Sequence, residues 1–218
     1  MDRSGDDAPI PQEVFDLYDA YCHGDLSRRG FFEGLGKYAV GGLSVSALAA
    51  CVMPDYARQQ TESGADGLYE EMLVYDSPQG AGEMEGYFVR PADADGKLPG
   101  IVVIHENRGL NPHIRDVARR AAQAGYVAFA PDALYPLGGY PGNDDDGRAM
   151  QATRDRESMV QDFMAAADFL KGHVATTGKV GCVGFCFGGA VSNLMAVRQP
   201  WLSAAVPYYG GWPDAADA

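Results

Sequence analysis

Positive charge is what this chain most lacks. Its 218 residues carry 17 lysines and arginines against 30 aspartates and glutamates, a formal net charge of −13. A phosphate backbone requires a basic face, so the balance argues against nucleic acid as a partner. Cysteine is sparse as well: Cys22, Cys51, Cys182 and Cys186 are the full set. None belongs to a CxxC pair, and the residues between Cys182 and Cys186 do not suit a metal knuckle. Neither a metal site nor a disulfide framework is therefore expected. Long hydrophobic runs are missing too. The best candidate, residues 35–53, is interrupted by Lys37 and is rich in Gly, Ala and Ser, which gives no stable membrane span. No GxGxxG or GxxxxGK[ST] turn is present, and no cofactor is expected. What the chain does have is 46% hydrophobic and 11% aromatic residues, enough to build a core.

Residues 1–58 differ in texture from the rest. A polar, acidic stretch containing Val14, Phe15, Leu17, Tyr18 and Tyr21 precedes Ser27-Arg28-Arg29-Gly30-Phe31-Phe32, and the weakly apolar run follows. Paired arginines ahead of such a run resemble a twin-arginine export signal, so the export machinery is an expected partner and a periplasmic or exported location is expected. Leu48-Ala49-Ala50-Cys51 resembles a lipoprotein cleavage box. The acidic lead-in and Glu33 suit a cytoplasmic helical extension instead. Residues 59–67 read as a linker, and residues 68–218 as the main domain.

From Leu68 onward, strands and helices alternate. Residues 71–75 and 84–89 predict a β-hairpin around the 77–82 turn. Residues 101–105 form a β-branched run suited to burial on both faces. Residues 114–124 predict a helix, 126–130 a strand, 131–147 a Gly/Pro/Asp-rich loop and 152–171 a helix. Residues 179–183 and 204–208 predict further strands, with a helix over 187–197 between them. This order implies an α/β fold with a mostly parallel sheet and helices on both faces, whose sites lie at the carboxyl ends of its strands.

One motif falls at such an end. Gly184-Phe185-Cys186-Phe187-Gly188-Gly189 follows a strand and opens a helix, the context a nucleophile elbow requires. Glycines flank the nucleophile because a side chain there would strike neighbouring backbone. The helix N-terminus favours a thiolate at Cys186, and the N–H of Phe187 points toward a developing oxyanion. Cys182, inside the strand, reads as a packed core residue. His105 reads as a strand-end residue bonded to backbone.

Several segments together resemble the dienelactone hydrolase family. They are residues 102–111 (Val-Val-Ile-His-Glu-Asn-Arg-Gly-Leu-Asn), 116–120, 125–132 (Gly-Tyr-Val-Ala-Phe-Ala-Pro-Asp), the Cys186 elbow and 206–210 (Val-Pro-Tyr-Tyr-Gly). The resemblance implies an α/β-hydrolase fold and a Cys-His-Asp triad that cleaves small-molecule lactones or esters. It also implies that Glu106 holds the resting thiol and helps it ionise, and that Asn107 supplies the second oxyanion N–H. One departure is visible. The family's arginine after Ala-Pro-Asp, which grips a substrate carboxylate, is absent from Tyr135-Pro136-Leu137-Gly138-Gly139, so a broader lactone or ester substrate is expected.

His23, His105, His113 and His173 all precede Cys186, whereas the family order puts the triad histidine after the nucleophile. The sequence thus predicts a C-terminally truncated hydrolase, with its last strands and its triad Asp and His absent and its activity crippled. The competing reading is a non-catalytic binding module that uses the same cleft. A thiol redox sensor is weaker, because Cys182 lies too deep in the strand to resolve an oxidised Cys186.

Overall fold

The computed structural model describes residues 10–39, 44–53 and 59–214. They belong to two compact units, Met1–Tyr56 and Ala57–Ala218. Among its described residues the first unit holds three short helices, α1 (Gln12–His23), α2 (Arg28–Leu35) and α3 (Val45–Val52). Ser27 caps α2 by accepting from Gly30 N, and Ser44 caps α3 by accepting from Ala47 N. Val14, Tyr21, Phe31, Leu35, Leu48 and Ala49 bury against one another, with the Tyr21 and Phe31 rings stacked at 5.2 Å. Arg28 and Arg29 open α2. Among the described residues no helix is long and apolar enough to cross a membrane.

The second unit is built on a six-stranded sheet. Its chain order is β1 (Leu68–Ser77), β2 (Gly82–Pro91), β3 (Leu98–Ile104), α4 (Pro112–Gln123), β4 (Val127–Pro131), α5 (Asp144–Gln151), α6 (Arg156–Gly172), β5 (Thr176–Phe185), α7 (Phe187–Arg198) and β6 (Ala204–Tyr208). In space the strands run β1-β2-β4-β3-β5-β6. The β1–β2 hairpin joins antiparallel to β4, and β4, β3, β5 and β6 are parallel. The chain reverses its direction of travel across the sheet around β3, the place where α/β folds leave a crevice.

Side chains on opposite faces of the strands pack against different helices. Ile114, Ala118 and Ala122 of α4 cover Val89, Val103 and Ala128 on one face. Phe163 and Leu170 of α6, with Val191 and Met195 of α7, cover Val102, Ile104, Phe129 and Cys182 on the other. This is the expected α/β-hydrolase architecture. β6 forms one edge, where Val206 and Tyr208 remain 45% and 49% exposed.

Beyond shifts of a few residues at strand ends, two stretches depart from the sequence reading. The 131–147 loop contains a 3-10 turn, Tyr135–Leu137, and the start of α5. Asn143 caps α5 by accepting from Asp146 N, and Asp144, Asp145 and Asp146 fill its first turn, where the helix dipole favours negative charge. The single helix expected over 152–171 starts later, because Asp155 accepts from Ser158 N at 2.7 Å and caps a new helix. Residues 59–67 lack regular structure yet are pinned to α4. Gln60 N and Thr61 N donate to Asp116 Oδ1 at 3.0 and 2.7 Å, and Arg119 Nε donates to the Thr61 carbonyl at 2.6 Å.

A buried ion pair ties the hairpin to α6. Arg154 meets Asp162 at 2.9 Å, with side chains only 7% and 1% exposed. Asp162 Oδ1 also accepts from Ala81 N in the β1–β2 turn at 2.9 Å, while Arg154 donates to the Ala133 carbonyl at 2.6 Å. Removing one partner strands a charge in the interior, which typically costs about 3–5 kcal/mol. Asp162→Ala is expected to lower unfolding free energy by that order in urea titrations, and an unchanged midpoint would refute the assignment.

Candidate active site

Cys186 sits between β5 and α7 with φ 54° and ψ −113°, torsions that an L-residue adopts only under constraint. The constraint is close backbone contact. A Cβ on Gly184 would lie 2.0 Å from the Gly188 carbonyl oxygen, and one on Gly188 would lie 2.4 and 2.6 Å from those of Ile104 and His105. No side chain fits at either position. The start of α7 therefore abuts the carboxyl end of β3. On the other side, Cys186 N donates to the Tyr208 carbonyl at 3.1 Å, which ties the turn to the end of β6. The thiol is half-buried. Phe187 is the first residue of α7, where backbone N–H groups have no partner within the helix.

Glu106 and Asn107 follow β3 directly. Glu106 is buried, and its Oε1 accepts from the Tyr209 hydroxyl at 3.1 Å. Tyr209 has a positive φ of 41°, which turns the chain after β6 back over the sheet's end. Cys186 and Phe187 lie on the elbow, and Glu106 and Asn107 lie on the turn that leaves β3 after His105, whose carbonyl abuts Gly188. Tyr209 bridges the two sides, being next to the carbonyl that anchors Cys186 and bonded to Glu106. Sequence reasoning did not single out Tyr209 as a site residue. Its one available signal was the Tyr-Tyr-Gly-Gly run closing a strand.

The Glu106 turn is held from behind by α5. Gln151 Nε2 donates to the Glu106 carbonyl at 3.2 Å, and its Oε1 accepts from Gly109 N at 3.0 Å. Asp144 accepts from Arg108 at 3.1 Å, Asn111 at 3.3 Å and the Tyr140 hydroxyl at 2.8 Å. Arg108 is consequently a buried, paired residue rather than a solvated loop arginine. A Cβ on Gly147 would reach 2.3 Å from the Arg108 carbonyl oxygen, so α5 lies flush on the turn.

The remaining candidates are accounted for. Cys182 is buried in β5, and desolvation raises its thiol to about 11, which keeps it protonated. Among the described residues, no group of three or more His, Cys, Asp or Glu side chains could hold a metal ion. His113, on the first turn of α4, is half-buried, and burial lowers its pKa against the opposing pull of the Glu106 charge. His105 is fully buried. Its Nδ1 lies 2.6 Å from the Glu106 carbonyl oxygen, and Ala133 N donates to its Nε2 at 3.1 Å. These partners assign the proton to Nδ1 and the neutral ring.

Burial holds His105 below the usual imidazole range, opposed by the nearby Asp132 and Glu106 charges. Its neutral form is therefore compatible with full stability above about pH 6.5, the unfolded value. Below that the unfolded chain binds the proton first, so stability falls as the pH drops toward the folded value. Thermal melts from about pH 7.5 to 5 should show this decline, and His105→Asn should flatten it. An imidazolium signal for His105 in NMR at about pH 6 would refute the assignment.

Comparison with known proteins identifies the family. A dienelactone hydrolase family model matches residues 84–217, and a YqhI-like model matches residues 1–40. A hydrolase fragment of Escherichia coli, YghX, is 53% identical over 110 residues, covering 50% of this chain and 94% of that protein. A carboxymethylenebutenolidase of Escherichia coli is 34% identical over 137 residues, 61% of this chain and 50% of the relative. The chain thus spans about half the length of the curated carboxymethylenebutenolidases of this group. Among solved structures, a Klebsiella pneumoniae dienelactone hydrolase superposes with a TM-score of 0.55 at 31% identity, covering 67% of this chain and 62% of the other. A dienelactone hydrolase-like promiscuous phosphotriesterase from metagenomic libraries gives 0.56 at 29%, covering 70% and 64%. The family match takes in the elbow, the Glu106 turn and the strand that leads into Tyr209, and on it this chain belongs to the dienelactone hydrolase family.

Proposed function

We propose that the α/β unit attacks lactone or ester carbonyls through Cys186. The observation that carries this reading is the forced backbone at Cys186, which sets the thiol at the start of α7 beside the turn that bears Glu106. A structural cysteine gains nothing from such torsions, whose strain costs about 1–3 kcal/mol.

In the proposed chemistry the Cys186 S–H proton passes to the Glu106 carboxylate, and the sulfur adds to the carbonyl carbon. Tyr209 keeps the carboxylate aimed at the thiol. The N–H groups of Phe187 and Asn107 stabilise the oxyanion. When the tetrahedral species collapses, the C–O bond to the leaving alkoxide breaks, the alkoxide takes up the proton, and a thioester remains on Cys186. In a lactone the alcohol stays tethered to the acyl group. Water then hydrolyses the thioester, a step that in elbow hydrolases relies on a histidine base. No histidine follows Cys186 within these 218 residues. Acylation calls only on Cys186, Glu106 and the two N–H groups, whereas turnover calls on that base in addition.

The substrate class follows the same line. Relatives named carboxymethylenebutenolidase point to lactones. The stretch Tyr135–Leu137 and the glycines after it carry no arginine to grip a substrate carboxylate, which favours lactones and esters more generally.

The test is a burst experiment. Mixing the chain with p-nitrophenyl acetate should release close to one equivalent of nitrophenol, followed by a slow phase. Mass spectrometry should locate the acetyl group on the peptide containing Cys186. Cys186→Ala should abolish the burst. Tyr209→Phe should slow it by roughly tenfold, the scale of one modest hydrogen bond, without changing its amplitude. Absence of a burst, with iodoacetamide reacting at Cys186 no faster than at an ordinary thiol, would instead identify a non-catalytic module.

A further inference from the structure

A recess of about 430 Å³ opens on the α4 face of the sheet. It is lined by Met72, Glu85, Tyr87, Leu110, Arg115 and Arg119, together with parts of the 59–63 and 132–140 segments. Neither Cys186 nor Glu106 borders it. Its size lies in the range of small-molecule sites.

Four charged side chains line this recess, two of each sign, and they are not equivalent. Arg119 is occupied: it donates to the Thr61 carbonyl, to the Tyr87 hydroxyl at 3.2 Å and to Gln59. Asp132 is occupied too, since its two oxygens accept from Leu110 N, Leu134 N and Tyr140 N. Arg115 and Glu85 remain. Arg115 lies over the Tyr87 ring at 5.5 Å, and no described residue makes a hydrogen bond or ion pair with its guanidinium. The Glu85 carboxylate likewise has no hydrogen-bond or ion-pair partner among the described residues. Glu85 and Tyr87 share one face of β2, two residues or about 7 Å apart. Met72, paired across the hairpin with Tyr87, is exposed and joins the exposed Pro112 as apolar wall.

We propose that this recess binds a small zwitterion with an apolar body, such as a free α-amino acid with a hydrophobic side chain. The ligand carboxylate meets Arg115, its ammonium meets Glu85, and its side chain lies against Met72 and Pro112. The lining charges balance, so a ligand of zero net charge with both poles satisfies Arg115 and Glu85 together. A simple anion would leave Glu85 facing it at a cost, and a simple cation would do the same at Arg115. This inference is independent of the hydrolase reading.

The test is isothermal titration of the full chain with L-phenylalanine, N-acetyl-L-phenylalanine and L-phenylalaninamide. The free amino acid should saturate a single site, and each blocked form should bind at least about tenfold more weakly. Arg115→Gln should remove binding of the free amino acid. Glu85→Gln should bring its affinity down to that of the N-acetyl form. Both positions are half-exposed, so these variants should melt with the parent chain; if either does not, the comparison of the three ligands on the unmodified chain decides. Iodoacetamide labelling of Cys186 should proceed at the same rate with ligand present. The proposal fails if no ligand saturates, if the N-acetyl form binds as tightly as the free amino acid, or if the ligand protects Cys186.

Discussion

Backbone contact too close to admit a side chain governs this molecule. Around Cys186, the elbow glycines let the turn between β5 and α7 press against the ends of two neighbouring strands. The carbonyls of Ile104 and His105 crowd Gly188, and that of Tyr208 crowds Gly189 at 2.4 Å from where its Cβ would stand. The parallel register enforces the contact, since Ile104 pairs with Gly184 and Phe185 with Tyr208. With three strand ends fixed against one helix start, the positive φ at Cys186 is a consequence of the packing.

Everything near the thiol inherits its position from this contact. The chain leaving β3 must turn at once, and the turn carries Glu106. The chain leaving β6 must also turn, which places the Tyr209 hydroxyl on that carboxylate. Behind them the interior has been made electrically quiet. His105 is kept neutral by two backbone partners, and Arg108 is met by Asp144. Glu106 thus lies in a surround where the neighbouring Arg108 charge is already paired and the His105 ring is neutral.

Much of this arrangement was legible in the sequence, for definite reasons. Buried parallel strands read as β-branched runs, and residues 101–105 showed it. The elbow announced itself because glycine on both sides of a cysteine, between a strand and a helix, suits little besides a tight turn that presents the thiol. The bonding of His105 to backbone followed from its place at a strand end. What could not be read was contact between segments distant in sequence. Asp144, Asp145 and Asp146 looked like loop composition, and only with Asn143 as a cap do they become a helix start. The pairing of Arg108 was hidden because its partner, Asp144, lies in that unrecognised helix. Tyr209 could not be assigned to Glu106 without knowing that β6 lies beside β5. In the first unit, the residues that resemble an export signal also supply Phe31, Leu35, Leu48 and Ala49 to a small helical cluster, a packing that hydropathy alone does not specify.

The segment ahead of β1 has a bearing on how the protein can be dissected. Gln60 and Thr61 give their amides to a buried aspartate on α4, and the Thr61 carbonyl receives a buried arginine. Excising the α/β unit at the first residue of its sheet would take two amide donors from Asp116 and a carbonyl acceptor from Arg119, leaving the aspartate to Arg120 and the arginine to the Tyr87 hydroxyl. In energetic terms that unit begins near Gln59, ahead of any regular secondary structure, and a minimal fragment would have to keep this lead-in as part of its fold.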